Sequence, residues 1–302
     1  MKIFIAQINP IIGDLSGNAK KILEISSKAF EKSADLVLTP ELSLWGYPPK
    51  DLLLNRNLID KQIYLLDKLS KDIARKYNKL SVTVGLAEKI DDKFFPNLYN
   101  SIALLENGSW TIIARKKILP TYEVFDEKRY FRSDNEISVL EKIVDGKSWR
   151  IGITICEDLW VNENIEGRGI HKENPIFDLK NENIDCLINL SASPFTVKKP
   201  EKRTLIAKNA SKDLKVPLVY INQTGANDEL IFDGNSFIID KNGSLIRQLK
   251  SCHEDYYCWD LNAKIYKPKN IIENSNIESI FDALVLGVKD YAQKCRFKKA
   301  LI

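Results

Sequence analysis

The sequence predicts an α/β fold. Short β-branched and aliphatic runs, several apolar at almost every position, alternate along the chain with longer stretches whose apolar residues recur at helical spacing. A strand apolar on both faces must be covered on both, and the interleaved helices are the elements available to cover it. The chain is 302 residues long. At that length a globular chain buries roughly 75% of its unfolded surface and needs no disulfide or metal staple.

The elements follow in order. KIFIAQI (2–8) is the first strand and NAKKILEISSKAFEKSA (18–34) the first helix. ADLVLTP (34–40) is a second strand, and LIDKQIYLLDKLSKDIARKYN (58–78) a second amphipathic helix. SVTVGLAE (81–88), SIALLE (101–106) and WTIIAR (110–115) are three further strands. WRIGITIC (149–156), IDCLINLS (184–191) and VPLVYIN (216–222) are apolar on both faces, with the helix EKRTLIAKNASKDL (201–214) between the last two. SFIIDKNGSLIRQL reads as a hairpin around a Lys-Asn-Gly turn. IYKPKNIIENSN (265–276) is polar and strand-poor and reads as a linker, and the helix IESIFDALVLGVKDYAQKC (277–295) follows it. RFKKALI begins as a strand and stops at the last residue, so the chain is expected to be cut from something longer.

Composition narrows the function. Lys+Arg 45 against Asp+Glu 41 gives a net charge of only +4, and the charges are interspersed. No basic face points to nucleic acid, and no apolar run spans a membrane. Five cysteines at irregular spacing make a poor disulfide framework and suit a reducing cytoplasm. Cys252 and Cys258 lack a second pair, so no zinc site is expected. Only two histidines occur, His171 and His253. A His-rich metal centre is thereby excluded, and any Ser-His-Asp or Cys-His triad has to use one of the two.

Three strand ends carry groups able to do chemistry. Cys156 closes a buried strand and is followed by Glu157-Asp158. At a sharp turn its sulfur would enter a pocket while the turn's N–H groups face a developing oxyanion. Glu41 follows ADLVLTP, where partial desolvation would suit it to general-base work. Lys116 and Lys117 follow WTIIAR, and a lysine there can donate to a tetrahedral oxyanion. Each has an ordinary reading as well: an inert buried thiol, an exposed loop acid, a solvated basic pair. Together, base, cation and thiol are what acyl transfer from an amide needs when histidine is absent.

These stretches resemble the nitrilase, or carbon–nitrogen hydrolase, superfamily over about residues 1–262. QINPIIGDLSGNAKKI, TPELSLWGYPPKDLL, KKILPTYEVFDEKRYF, GITICEDLW and NLSASPF are more closely similar to the glutamine-amidohydrolase domains of glutamine-dependent NAD synthetases. YPPKDLL and FDEKRYF separate that group from ordinary nitrilases and simple amidases. The resemblance implies a four-layer αββα sandwich of two mixed sheets. It implies a glutaminase domain over 1–264, a linker over 265–276, and the truncated start of a synthetase domain over 277–302.

By the same resemblance Glu41 is the general base, Cys156 the nucleophile and Lys116 the oxyanion cation, since the family's lysine lies three before Leu-Pro. Glu127 matches a second glutamate that positions lysine and substrate amide. Tyr122, Phe125, Glu157, Ser193 and Lys199 match the lining of a glutamine pocket, with Lys198 next door able to take the role of Lys199. A zwitterionic amino acid needs an acceptor for its ammonium and a donor for its carboxylate, and Glu157 and Lys199 have those charges. Amide hydrolysis of this type uses no metal or organic cofactor. ATP and magnesium are implied for a synthetase domain, which would amidate deamido-NAD with the ammonia. A homo-oligomer is implied too, with Tyr64 on the 58–78 helix a candidate contact. The alternatives are an ω-amidase or nitrilase acting on another small amide, and a non-catalytic module on the same fold. Two departures stand out: Glu123, expected to face solvent, and a long polar stretch between Trp160 and Cys186 holding His171.

Overall fold

The computed structural model describes residues 1–92, 94–161, 174–263, 276–299 and 301. Among these, fourteen strands and five helices form two six-stranded sheets, a two-stranded ribbon and their covering layers. The first sheet contains β1 (Lys2–Gln7), β2 (Leu36–Leu38), β3 (Ser81–Lys89), β4 (Leu98–Glu106), β5 (Ser109–Arg115) and β14 (Asp255–Asp260), in the order β14-β1-β2-β3-β4-β5. The second contains β6 (Val139–Val144), β7 (Lys147–Ile155), β8 (Cys186–Ser191), β9 (Leu218–Asn222), β12 (Phe237–Ile239) and β13 (Leu245–Gln248), in the order β6-β7-β8-β9-β12-β13. Both are mixed, and both run through the same succession of pairings: antiparallel, parallel, parallel, antiparallel, antiparallel.

Period-2 alternation explains why so many strands are apolar on both faces. In β1, Ile3 and Ile5 point to the inter-sheet core with Leu36, Leu38, Ile151, Ile153, Ile188 and Val219. Phe4 and Ala6 point the other way, into a core shared with α1 (Leu15–Glu31) and α2 (Arg56–Lys76). On the far side Leu187, Leu218, Tyr220 and Ile239 meet α3 (Pro175–Asp178) and α4 (Lys199–Leu214). Three apolar layers between four structural layers make the αββα sandwich.

Boundaries differ from the sequence expectation for local reasons. The first helix begins at Leu15, three residues early, because Asp14 caps it by accepting from the Gly17 N–H at 2.9 Å. The second strand shrinks to Leu36–Leu38, because Pro40 removes a donor and the chain turns. Four strands carried too little signal to be anticipated: β6, β14, and the ribbon of β10 (Thr224–Asn227) and β11 (Leu230–Asp233). The expected strand at RFKKALI is absent from its described residues.

Helix α5 (Asn276–Lys294) lies on the β10–β11 ribbon. Ala283 and Leu286 are buried with Cys252 against Phe195 and Ile231. Asp290 accepts from Asn9 Nδ2 at 2.7 Å and from the Ala226 N–H at 2.8 Å. Lys294 donates to the Ala226 carbonyl and to Asn227 Oδ1, each at 2.9 Å. The outer face of α5, with Ile280, Leu284 and Val288, is exposed. The expected linker falls almost wholly, and His171 entirely, outside the described residues. No described helix is long and apolar enough to cross a membrane.

Candidate active site

Three strand ends, those of β2, β5 and β7, carry the candidate groups. Leaving β2, the chain turns through Thr39-Pro40-Glu41, with Leu42 at φ 45. The turn is fastened to β3. Thr39 Oγ1 donates to the Thr83 carbonyl at 2.7 Å, the Gly85 N–H to Ser43 Oγ at 2.9 Å, and the Leu44 N–H to the Gly85 carbonyl at 3.0 Å. Only glycine fits at position 85: a Cβ there would lie 2.2 Å from the Leu42 nitrogen. Any side chain would push the turn, and Glu41 with it, off the sheet.

Leaving β7, Cys156 takes φ 47 and opens a 3-10 turn over Cys156–Leu159. A left-handed non-glycine residue at the end of a buried strand is a strained elbow of the kind found at functional sites. Asp158 braces it. Its Oδ2 accepts from the Ile155 N–H at 3.0 Å, and its Oδ1 from the N–H groups of Lys117 and Ile118 at 3.1 and 2.8 Å. One carboxylate thus ties the cysteine turn to the lysine loop. Burial pushes Asp158 up to about 7 despite those three donors. Asn189 on β8 donates to the Cys156 carbonyl at 3.3 Å and holds the elbow from the neighbouring strand.

Lys116, just past β5, is fully buried, and its Nζ donates to Glu41 Oε1 and to Glu127 Oε1, each at 2.7 Å. Lys117 points elsewhere, to Asp178 on α3 at 3.1 Å. Glu41 accepts two further bonds, from Asn100 Nδ2 to its Oε1 at 2.7 Å and from the Ala192 N–H to its Oε2 at 2.9 Å. Glu127 Oε1 accepts a further bond from the Tyr47 hydroxyl at 2.8 Å. Its Oε2 is buried with no hydrogen-bond partner. A buried orphan acceptor is costly unless a ligand completes it.

The charges explain the protonation states. Burial would pull Lys116 down, but the carboxylates of Glu127 and Glu41 outweigh it and the ammonium is held well above its ordinary value. Two carboxylates share that one cation. Burial first, and then repulsion from Glu41, raise Glu127 to about 7, while Lys116 and Tyr47 oppose the rise. Burial pushes the Cys156 thiol well up, and Glu41 pushes in the same direction against Lys116. At neutral pH the sulfur is therefore a thiol that needs a base. Tyr47 is likewise held protonated, by burial and then by Glu127 and Glu41, so it donates.

The residues expected to bind the substrate lie around this cluster. The Tyr122 hydroxyl donates to Glu157 Oε1 at 2.9 Å, and the Tyr122 and Phe125 rings meet edge to face at 5.4 Å. Ser193 follows β8 beside Ala192, and its Oγ accepts from Arg203 Nε at 3.1 Å. Lys199, first residue of α4, places Nζ 4.7 Å from the Trp160 ring centroid. Lys198 and Glu123 are exposed, both with positive φ. Tyr47, Asn100, Asp158, the Ala192 N–H and Arg203 were not singled out from the sequence. For Tyr47 and Asp158 the signal lay inside the GYPP and CEDLW stretches.

A glutamine-dependent NAD(+) synthetase from Synechocystis sp. is 38% identical over 304 residues, taking in 99% of this chain and 54% of that protein. The chain spans about half the length of the curated relatives it matches. The structure of glutamine-dependent NAD+ synthetase from Acinetobacter baumannii in complex with adenosine diphosphate superposes with a TM-score of 0.83 at 32% identity, covering 97% of this chain and 52% of that one. An amidase from Nesterenkonia sp., 19% identical, shares the fold with a TM-score of 0.66 over 85% of this chain and 89% of its own. The model of the carbon-nitrogen hydrolase family matches residues 2–265, from the first strand past the last one, and the chain therefore belongs to the carbon–nitrogen hydrolase family.

Proposed function

We propose that the chain hydrolyses the side-chain amide of glutamine through a thioester on Cys156, and that the ammonia amidates deamido-NAD to NAD in a synthetase domain such as the longer relatives carry. The observation that supports this best is the buried Glu41–Lys116–Glu127 cluster beside the Cys156 elbow. The relatives' name, glutamine-dependent NAD(+) synthetase, supports the choice of substrate.

Glu41 takes the thiol proton as Sγ attacks the side-chain carbonyl carbon, and the carbonyl electron pair moves onto oxygen. The Lys116 ammonium and a backbone N–H just after Cys156 hold that oxyanion. Glu127 anchors Lys116 through Oε1, and its orphan Oε2 accepts from the substrate's amide N–H. The C–N bond breaks as Glu41 returns the proton to the departing ammonia. Water, giving its proton to Glu41, then attacks the thioester. Collapse expels the sulfur, which recovers the proton, and glutamate leaves. Glu157 accepts from the substrate's α-ammonium and Lys199 donates to its α-carboxylate. Tyr122, Phe125 and Ser193 line the space between.

This half of the reaction uses only protein groups. ATP and magnesium would serve the amidation step in the synthetase domain, beyond a 1–264 glutaminase domain and a 265–276 linker. A homo-oligomer belongs to the same reading. Ile63 and Tyr64, 37% and 64% exposed on α2, are side chains it would cover, and sedimentation at micromolar concentration tests it.

Incubation of the purified protein with L-glutamine should release ammonia and glutamate in equal amounts. Asparagine, glutaramate and propionamide should react far more slowly. Highest kcat/KM on an amide lacking the α-ammonium and α-carboxylate would make the chain a general ω-amidase instead. No ammonia from any amide would make it a binding module.

A further inference from the structure

We propose that the indole of Trp160 is a specificity-determining platform: it holds the Lys199 ammonium where the substrate's α-carboxylate docks, without neutralising it. The proposal rests on glutamine being the substrate.

Four cations lie close together here, Arg203, Lys198, Lys199 and Lys202, and two are excluded as the carboxylate's partner. Arg203 is 1% exposed, and all its nitrogens are engaged. Nη1 donates to both oxygens of Asp233 at 2.8 and 3.0 Å, Nε to Ser193 Oγ at 3.1 Å, and Nη2 to the Ser193 and Pro194 carbonyls at 2.8 Å each. Its charge is cancelled by Asp233, and its donors fix the 193–194 backbone rather than a ligand. Lys198 is exposed, with φ 66, just before α4. Of the other two, Lys199 lies nearer the Trp160 ring.

Lys199 is half-buried and, among the described residues, forms no ion pair. A lone ammonium in such a place needs compensation. Burial, and then the neighbouring Arg203 charge, pull it below its ordinary value, and Glu157, then Cys156 and Glu123, pull it back. The Trp160 face, 4.7 Å from Nζ and well within cation–π range, adds to that compensation. Lys202 also lies over the same ring, its Nζ 6.0 Å from the centroid.

The choice of a ring is chemically meaningful. A carboxylate partner would occupy the ammonium's donors and compete with an incoming carboxylate. A π face attracts the charge and leaves N–H donors pointing outward. The ring itself is rigid: Trp160 is 2% exposed and packs with Leu159, Ile176, Leu187 and Ile206. Trp160 also belongs to the nucleophile's own turn, its backbone N–H donating to the Glu157 carbonyl at 2.9 Å. Thiol, ammonium acceptor and platform thus come from one stretch, Cys156 to Trp160. That stretch acts as a ruler between the reacting carbon and the amino-acid end of the substrate.

The test is a double-mutant cycle on steady-state glutamine hydrolysis, using Lys199→Met, Trp160→Phe and Trp160→Leu. Lys199→Met should raise KM about 10- to 100-fold, the worth of a charge-assisted hydrogen bond. Trp160→Leu should raise KM about 10-fold and Trp160→Phe about 3-fold, with kcat within 2-fold of the parent. In the Lys199→Met background neither Trp160 change should raise KM further. Trp160→Phe keeps an aromatic ring in the core, so the cycle can be completed with it even if Trp160→Leu does not fold. Independent, multiplying effects on KM, or a fall in kcat with KM unchanged, would make Trp160 a packing residue and overturn the proposal alone. An unchanged KM in Lys199→Met would overturn it together with the assignment of Lys199.

Discussion

Cys156→Ser is expected to abolish ammonia release from glutamine, by roughly 10⁴-fold or more, while leaving the fold intact. The change replaces one sulfur by one oxygen at a site with little volume to lose. Serine tolerates the φ of 47 no worse than cysteine does, so the elbow should stay braced by Asp158 and Asn189. Chemistry is what fails. In the parent, burial and Glu41 hold the thiol protonated, and in the proposed mechanism Glu41 removes that proton during attack. A hydroxyl gives up its proton far less readily, and the same burial penalises the alkoxide more. Thermal melting should superpose within a degree or two, and mass spectrometry during turnover should show a glutamyl adduct on the parent only. Normal turnover in the serine variant would end the thioester mechanism.

The groups proposed to supply the chemistry were legible in the sequence because each follows a strand that announces itself. The run before Cys156 is apolar on both faces, as are those before Glu41 and Ser193, and a polar side chain just past such a run stands at the rim of the sheet. The groups that set the geometry were not legible, because nothing local marks them. Ala192, which donates to Glu41, lies 151 residues away in the chain, and Tyr47, which donates to Glu127, lies 80 away. Gly85 reads as an ordinary weak point in a strand until the Glu41 turn is laid across it. Arg203 sits in what reads as a surface helix with a polar face. Its burial depends on Asp233, on a ribbon strand whose neighbour, TGAN, has almost no β propensity. The sandwich follows from periodicity and the family likeness. The short edge strands were lost because partial exposure leaves them without a continuous apolar signal.

Lys116→Met is expected to lose activity as completely as the cysteine variant and, unlike it, to lose stability in a pH-dependent way. Activity falls because the proposed oxyanion loses its cation, and the adjacent Lys117 is held by Asp178. Loss of a preformed oxyanion donor costs about 10²- to 10³-fold. Displacement of Glu41, whose Oε1 lies 2.7 Å from the lysine, adds to that. Stability falls because Glu41 and Glu127 would remain buried with their shared cation gone. Breaking a buried pair by removing one partner costs about 3–5 kcal/mol when the other stays charged. The sign of the pH dependence follows from Glu127. Its folded value, about 7 against an ordinary 4.5, is already raised, so folding favours its protonated form. In the parent, stability tied to this group is fully present below 4.5 and is lost as pH rises toward about 7. Without Lys116 the attraction that opposed the rise disappears, Glu127 moves further up, and the loss extends to higher pH. Urea unfolding of parent and variant should therefore differ little near pH 5 and by several kcal/mol near pH 8. A difference constant across that range would mean that methionine fails through packing, and that Lys116 does not neutralise the two carboxylates.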